Sequence, residues 1–300
     1  MNTYVREGEE SMKIRKVVIP VAGWGTRSLP ATKNVPKEML PVYNKPTVQY
    51  VVEEAMQAGI TDVVFVNNQN KRIIEDHFDY NLALEAVLER MGNKEMLQEV
   101  RKVAQMVNII TVRQKEQLGL GHAVLCAKEV IKDEPFAVMV GDDLLFDHEP
   151  GIKQLMEVAL TENMPVVGVV DVPREKVSRY GILQAEEFAP DMYRVRGMME
   201  KPRPEDAPST LAMVGRYVLT PEIFTHLENL APGKGGEIQL TDALQLLAKE
   251  NRLLAVKLKG RRFDTGDWVD YLSANIYFAL QDKALRSELI ENLRSLLPAS

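Results

Sequence analysis

Apolar residues along the chain fall into short continuous runs, separated by stretches with helical spacing. Val17, Val18, Ile19, Val21 and Ala22 form the first run, which breaks into Gly23-Trp24-Gly25. So short a run, closed by glycines, predicts a strand buried on both faces. Thr47 is then placed to cap a helix with Val48, Val51, Val52, Ala55 and Met56 on one face, ended by Gly59. Residues 62–66 read as a second buried strand and 71–78 as a short helix. Residues 82–105 read as an amphipathic pair interrupted at Gly92-Asn93. A third strand is expected over 108–112, and Gly119-Leu120-Gly121-His122 opens the next helix. A fourth strand, 136–140, ends in Gly141-Asp142-Asp143.

Strands alternating with helices imply a parallel sheet with helical crossovers. From residue 151 the pattern changes. Residues 165–172, 181–185, 195–199 and 211–219 read as short strands with turns between them, an antiparallel extension. Residues 202–208 form a proline-rich surface loop, and Pro221 opens a helix. Gly233, Gly235 and Gly236 make a second glycine-rich loop before a helix over 239–249. A last strand is expected at 253–258, and 267–297 is largely helical. The expected fold is α/β: a Rossmann-like, mixed but mainly parallel sheet flanked by helices, with an antiparallel extension and a helical C-terminus. There is no internal repeat and no clean linker, so one elaborated domain spans 12–300, behind a polar flexible tail over 1–11.

Composition narrows the function classes. The net charge of −6 argues against a general nucleic-acid binder, which would carry a basic surplus. No apolar run approaches the roughly 18–20 residues of a membrane span, and the first residues do not read as a signal peptide. The single cysteine, Cys126, excludes an internal disulfide and fits a reducing, cytoplasmic compartment. Its apolar helical surroundings suit a packed thiol. Four scattered histidines show no zinc-ligand spacing.

The chemistry concentrates in the loop after the first strand. Gly23 and Gly25 let backbone N–H groups approach a ligand closely. Thr26 adds a hydroxyl, and Arg27 and Lys37 add two positive charges. Together they make a site for a polyphosphate. A dinucleotide fingerprint would need a third glycine where Ser28 stands. A P-loop would need Gly-Lys-Ser/Thr opening a helix, and Pro30 and Pro36 make this segment an irregular loop. A glycine turn with two solvated cations would account for Gly-x-Gly alone, not for the whole run. Gln114 and Asp142 also follow strands, where ligands gather in parallel sheets, which favours one shared site. Read alone, Asp142-Asp143 suits a turn or cap as well as a metal site, Gln114 suits a surface position, and Glu200-Lys201-Pro202 is an ordinary charge pair.

The stretch 17–41 resembles the signature of sugar-phosphate nucleotidyltransferases. Pro36-Lys37-Glu38-Met39-Leu40-Pro41 is similar to the bacterial glucose-1-phosphate uridylyltransferase branch. Related thymidylyltransferases usually carry K-Q-L or K-P-L there. The likeness continues in patches over about 16–280. Glu200-Lys201-Pro202, Tyr180-Gly181, Val214-Gly215-Arg216-Tyr217 and the run 235–242 extend it, the last being long enough to be specific. The resemblance implies a homo-oligomeric, Mg²⁺-dependent enzyme taking UTP and glucose 1-phosphate. It divides the domain into a nucleotide-binding half (about 12–150), a sugar-binding half (about 151–266) and C-terminal helices (about 267–298). It implies catalytic roles for Arg27, Lys37 and Lys201 and metal ligation by Asp142 and Asp264. Nucleotide contacts would come from Ala22, Gly23, Gly25, Thr26, Glu38, Gln114 and Gly119. Sugar contacts would come from Gly181, Glu200, Lys201, Val214 and Gly215. Three departures stand out: Trp24 where the family commonly has leucine, and Trp268 and Asp270 where lysine and glycine are usual.

In the implied reaction the nucleophile is already an oxyanion, so positioning and charge neutralisation carry the catalysis and no general base is required. Three other readings remain open on the sequence. One is a thymidylyltransferase or dual-nucleotide relative. Another is a metal-dependent glycosyltransferase, which has no need of a loop for a pyrophosphate leaving group. The third is a nucleotide-sugar sensor without catalysis.

Overall fold

The computed structural model describes residues 13–296; the tail expected over 1–11 lies outside the described residues. The chain opens with β1 (Lys16–Pro20), the two-residue strands β2 (Pro41–Val42) and β3 (Lys45–Pro46), and α1 (Thr47–Gln57). β4 (Asp62–Asn67) is followed by α2 (Arg72–Asp76), α3 (Leu82–Arg90) and α4 (Lys94–Ala104). β5 (Asn108–Arg113) leads into α5 (Gly119–Cys126) and α6 (Lys128–Ile131), and β6 (Phe136–Met139) into β7 (Asp143–Phe146) and α7 (Gly151–Glu162). Next come β8 (Val166–Asp171), β9 (Gly181–Ala189), β10 (Met192–Glu200) and β11 (Leu211–Leu219). The remainder is α8 (Glu222–Asn229), α9 (Leu240–Lys249), β12 (Leu254–Lys257), β13 (Arg261–Asp264), α10 (Trp268–Ala279) and α11 (Arg286–Leu296).

Among the described residues, nine strands form one mixed sheet in the order β5-β4-β1-β6-β11-β8-β12-β10-β9. The first four are mutually parallel. β11 runs antiparallel to both β6 and β8, β12 is parallel to β8, and β10 is antiparallel to β12 and β9. The strands expected as an antiparallel extension therefore continue the same sheet. The period-2 alternation of a strand splits the core between the two faces. Val17 and Ile19 pack in the cluster containing Val51, Val52 and Leu155 of α1 and α7. Val18 packs in the cluster containing Val124, Ile223 and Leu244 of α5, α8 and α9.

Local differences from the expected elements have simple causes. Thr47 does not cap α1; it is the first helical residue, and its hydroxyl donates to the Leu40 carbonyl at 2.8 Å. The break at Gly92-Asn93 is a true cap, since Asn93 accepts from the Met96 N–H at 3.1 Å. The helix α7 and the strands β2, β3, β7 and β13 are not among the expected elements, and β13 rather than the strand expected over 253–258 is the last one described. β7 pairs antiparallel with β13 in a separate two-stranded ribbon that sets Asp143 opposite Asp264.

Candidate active site

The glycine loop leaves β1 and closes on the segment carrying Lys37. Gly25 adopts φ +66, and a Cβ there would touch the Lys37 Cβ at 3.4 Å. The Thr32 hydroxyl donates to the Gly25 carbonyl at 2.8 Å, and Thr26 begins a single 3-10 turn that also carries Arg27. Gly23 has open space around its Cβ position, while the Ala22 carbonyl is taken by Asn68 Nδ2 at 2.6 Å. Glu38 is buried beneath the loop, where its carboxylate accepts from Lys71 Nζ at 2.8 Å. It thus braces the Lys37 turn; neither Glu38 nor Lys37 lines the cavity described below, which Lys37 approaches through its contact with Asp142.

Lys37 Nζ lies 2.5 Å from Asp142 Oδ2, and Arg27 Nη2 lies 3.9 Å from the same oxygen. Burial alone would depress the Lys37 ammonium, but the Asp142 and Glu38 carboxylates outweigh it and hold the group above its ordinary value. Burial would likewise raise the Asp142 carboxyl, yet Lys37 and Arg27 hold it below the usual range. Thr265 brings Asp264 alongside: its N–H and hydroxyl both donate to the Asp142 carbonyl, at 2.9 and 2.8 Å. Burial, and then the neighbouring Asp142 and Asp143 carboxylates, push Asp264 up. Two carboxylates converging in this way suit a hard cation that completes its shell with water and phosphate oxygens.

Arg27, Asp142, Lys201, Val214, Gly215 and Asp264 line one cavity of about 770 Å³, joined by Tyr180, Arg262 and Trp268. Lys201 follows β10 at φ +48, its N–H donated to the Tyr180 carbonyl at 2.9 Å. An ordinary side chain in this strained region is typical of functional sites. Glu200 pairs in register with Gly181 and accepts from the Thr241 hydroxyl at 2.9 Å. Gly215 stands so close to β6 that a Cβ would lie 2.7 Å from Val140 Cβ and 3.1 Å from Asp143 Cβ. Gly215→Ala is therefore expected to cost about 1–3 kcal/mol by overpacking, read as a lower urea midpoint. An unchanged midpoint would show that β11 yields freely.

Several participants escape sequence reasoning. Asp143, unlike Asp142, is fully engaged: it receives Arg262 Nε and Nη2 at 2.8 Å each and the Gly215 N–H at 2.9 Å. Arg262 Nη1 continues to the Tyr180 hydroxyl at 3.2 Å. Arg262 sits two residues before Asp264 on a strand, so the same-face rule was the available signal. Behind the cavity, Arg216 is 1% exposed. It pairs with Glu54 through Nε–Oε1 at 3.0 Å and Nη2–Oε2 at 2.6 Å. It also donates to the carbonyls of Asp143 and Gly215 at 2.8 and 3.0 Å.

Gln114 lies in a second cavity, of about 450 Å³, shared with Trp24, Asn68 and Arg113. The glycine loop contributes to both cavities, Trp24 to this one and Arg27 to the other. Gln114 is 4% exposed, and its Nε2 donates to the Gly119 carbonyl at 3.1 Å and lies 3.0 Å from His122 Nδ1. Its Oε1 is the end left to accept, which matches the N3–H donor of uracil or thymine and opposes the N3 acceptor of cytosine. Gly119, at φ +94, packs against residues 237–238, where a Cβ would meet Glu237 Cβ at 2.9 Å.

A Gly-x-Gly loop, two cations and two carboxylates, gathered beside one cavity of a mixed sheet, suit a site for moving a nucleotidyl group. The chain belongs to the nucleotidyl transferase family, whose model matches residues 16–280. Within it, the chain is 48% identical over 285 residues to a UTP–glucose-1-phosphate uridylyltransferase of Bacillus subtilis (strain 168), covering 95% of this chain and 98% of that one. It is also similar to a UTP-bound UGPase from Acinetobacter baumannii, with TM-score 0.88 and 38% identity over 95% of this chain and 100% of the other. A UDP-glucose pyrophosphorylase complexed with UDP-glucose gives TM-score 0.83 and 41% identity over 90% and 100%.

Proposed function

We propose that the protein transfers the uridylyl group of UTP to glucose 1-phosphate, giving UDP-glucose and pyrophosphate. The convergence of Lys37 and Arg27 on Asp142, beside Asp264, carries the reading. A phosphate oxygen of the sugar attacks the α-phosphorus; one P–O bond forms there as the bond to pyrophosphate breaks. Lys37 holds the α-phosphate region and Arg27 the leaving pyrophosphate, so the charge that develops is met by cations already in place. Lys201 receives the sugar phosphate and Glu200 the sugar hydroxyls. Asp142 and Asp264 would hold Mg²⁺, which when bound neutralises phosphate charge and orients the triphosphate. Gln114 separates uracil and thymine from cytosine; the choice of UTP over dTTP is supported by the uridylyltransferase relatives. We read the parallel half as a Rossmann-like nucleotide layer in a cytoplasmic homo-oligomer. Among the described residues no helix is long and apolar enough to cross a membrane.

Pyrophosphate release with glucose 1-phosphate and Mg²⁺, run in parallel with UTP, dTTP and CTP, tests the reading. Release chiefly with UTP is expected, a clear preference for dTTP would defeat the uridylyl assignment, and no release at all would defeat transfer. Excess chelator should abolish turnover and added Mg²⁺ restore it; activity that persists in chelator would remove the metal from Asp142 and Asp264.

A further inference from the structure

Trp24 is 61% exposed at the crest of the glycine loop, and it is one of only two tryptophans in the chain. The indole is therefore open to a ligand, and covering it would gain the apolar area that it now leaves in water. Trp24 lies beside the cavity into which Gln114 presents its amide. A Cβ built at the neighbouring Gly23 would meet nothing within 4 Å, so the space next to the indole is open to a ligand.

A nucleobase presents an edge, which hydrogen bonds can read, and two apolar faces, which they cannot. Gln114 addresses the edge. The other residues at this cavity, Asn68, Gln69, Asn70 and Arg113 among them, are polar, so the indole is the aromatic surface available to a face. We propose that Trp24 is the stacking platform for the base of the bound nucleotide, supplying affinity while Gln114 supplies discrimination. The proposal rests on the uridylyl-transfer reading. Stacking is tolerant of base identity, since every base has a π-face. Loss of the indole should therefore weaken UTP and dTTP alike and leave their ratio unchanged.

The test is calorimetric titration of the unaltered protein, Trp24→Ala and Trp24→Phe with Mg²⁺-UTP, Mg²⁺-dTTP and Mg²⁺-tripolyphosphate. Trp24→Ala should bind both nucleotides about tenfold more weakly, bind tripolyphosphate as before, and show the loss in KM for UTP more than in kcat. Trp24→Phe, which keeps a π-face, should recover most of the affinity. In the Trp268→Phe variant Trp24 is the sole tryptophan, and UTP but not tripolyphosphate should quench its emission. Equal UTP affinity in Trp24→Ala, or an equal loss for tripolyphosphate, would overturn the stacking assignment while leaving uridylyl transfer intact. Failure of the unaltered protein to bind UTP would instead overturn the transfer reading, and stacking with it.

Discussion

Lys37→Ala is expected to lower kcat by about 10²–10³-fold, the usual cost of removing one preorganised charge from a developing oxyanion. The side chain is suited to that role because its position is fixed before substrate arrives: Nζ is held 2.5 Å from Asp142, and Gly25 packs on its Cβ. Its ammonium is held above the ordinary lysine value, so it stays charged at neutral pH. An interaction of this kind strengthens as the α-phosphate changes charge, so kcat should fall more than KM for UTP rises. The fold should survive, because Asp142 keeps Arg27 at 3.9 Å as a second cation. Asp142→Ala should show a loss of similar size, and the double variant should be far from additive, since the two residues act as one unit. Steady-state kinetics with a thermal-unfolding control decides the matter. Turnover near that of the unaltered protein would remove Lys37 from the mechanism.

The largest effect on stability should come from a residue that touches no substrate. Arg216→Met is expected to cost about 3–5 kcal/mol, the range for breaking one side of a buried ion pair. The substitution strands the Glu54 carboxylate and removes the donors to the carbonyls of Asp143 and Gly215. Glu54 would keep only the Ile152 N–H, at 2.9 Å. Replacing both partners together, as Glu54→Leu with Arg216→Met, should recover part of the loss, because no uncompensated charge then remains. Urea unfolding of the two single variants and the double variant gives the comparison. A loss below about 1 kcal/mol in Arg216→Met would mean that water reaches Glu54 and that the pair is not an essential brace.

The contrast between these two residues shows what a sequence reveals. Lys37 was legible because it belongs to an unbroken local run, Gly23 through Pro41, in which residue type and spacing together state a chemistry. β1, β4 and β6 were legible for a related reason, each being an apolar run too short for a helix and bounded by turn formers. Arg216 stands inside the motif over 214–217, but its burial depends on Glu54, a helix residue 162 positions away. Nothing local to either residue records that pairing. β7 was hidden because Asp142-Asp143 reads as a turn, although Leu144, Leu145 and Phe146 follow immediately. α7 had a readable signal, since Ile152, Leu155, Met156 and Ala159 repeat at helical spacing and all are buried. The gathering of Arg27, Asp142, Lys201 and Asp264 around one cavity is visible only in three dimensions. So is the placement of Gln114 in a separate one.

The position of β12 has a consequence for how the molecule is made. It lies between β8 and β10, both of which precede it in the chain. Until Leu254 has been synthesised, the facing edges of β8 and β10 have no partner in their own sheet. At about 5–20 residues per second, several seconds separate the emergence of β8 from that of β12. Once β10 has followed β8, the nascent chain carries two open strand edges until β12 arrives, and such edges are templates for pairing with the wrong neighbour. The parallel layer of β1, β4, β5 and β6 can close early, while the join between β8 and β10 waits on one late four-residue strand. That late insertion sets a demand for protection of the chain during synthesis that is independent of the chemistry of the site.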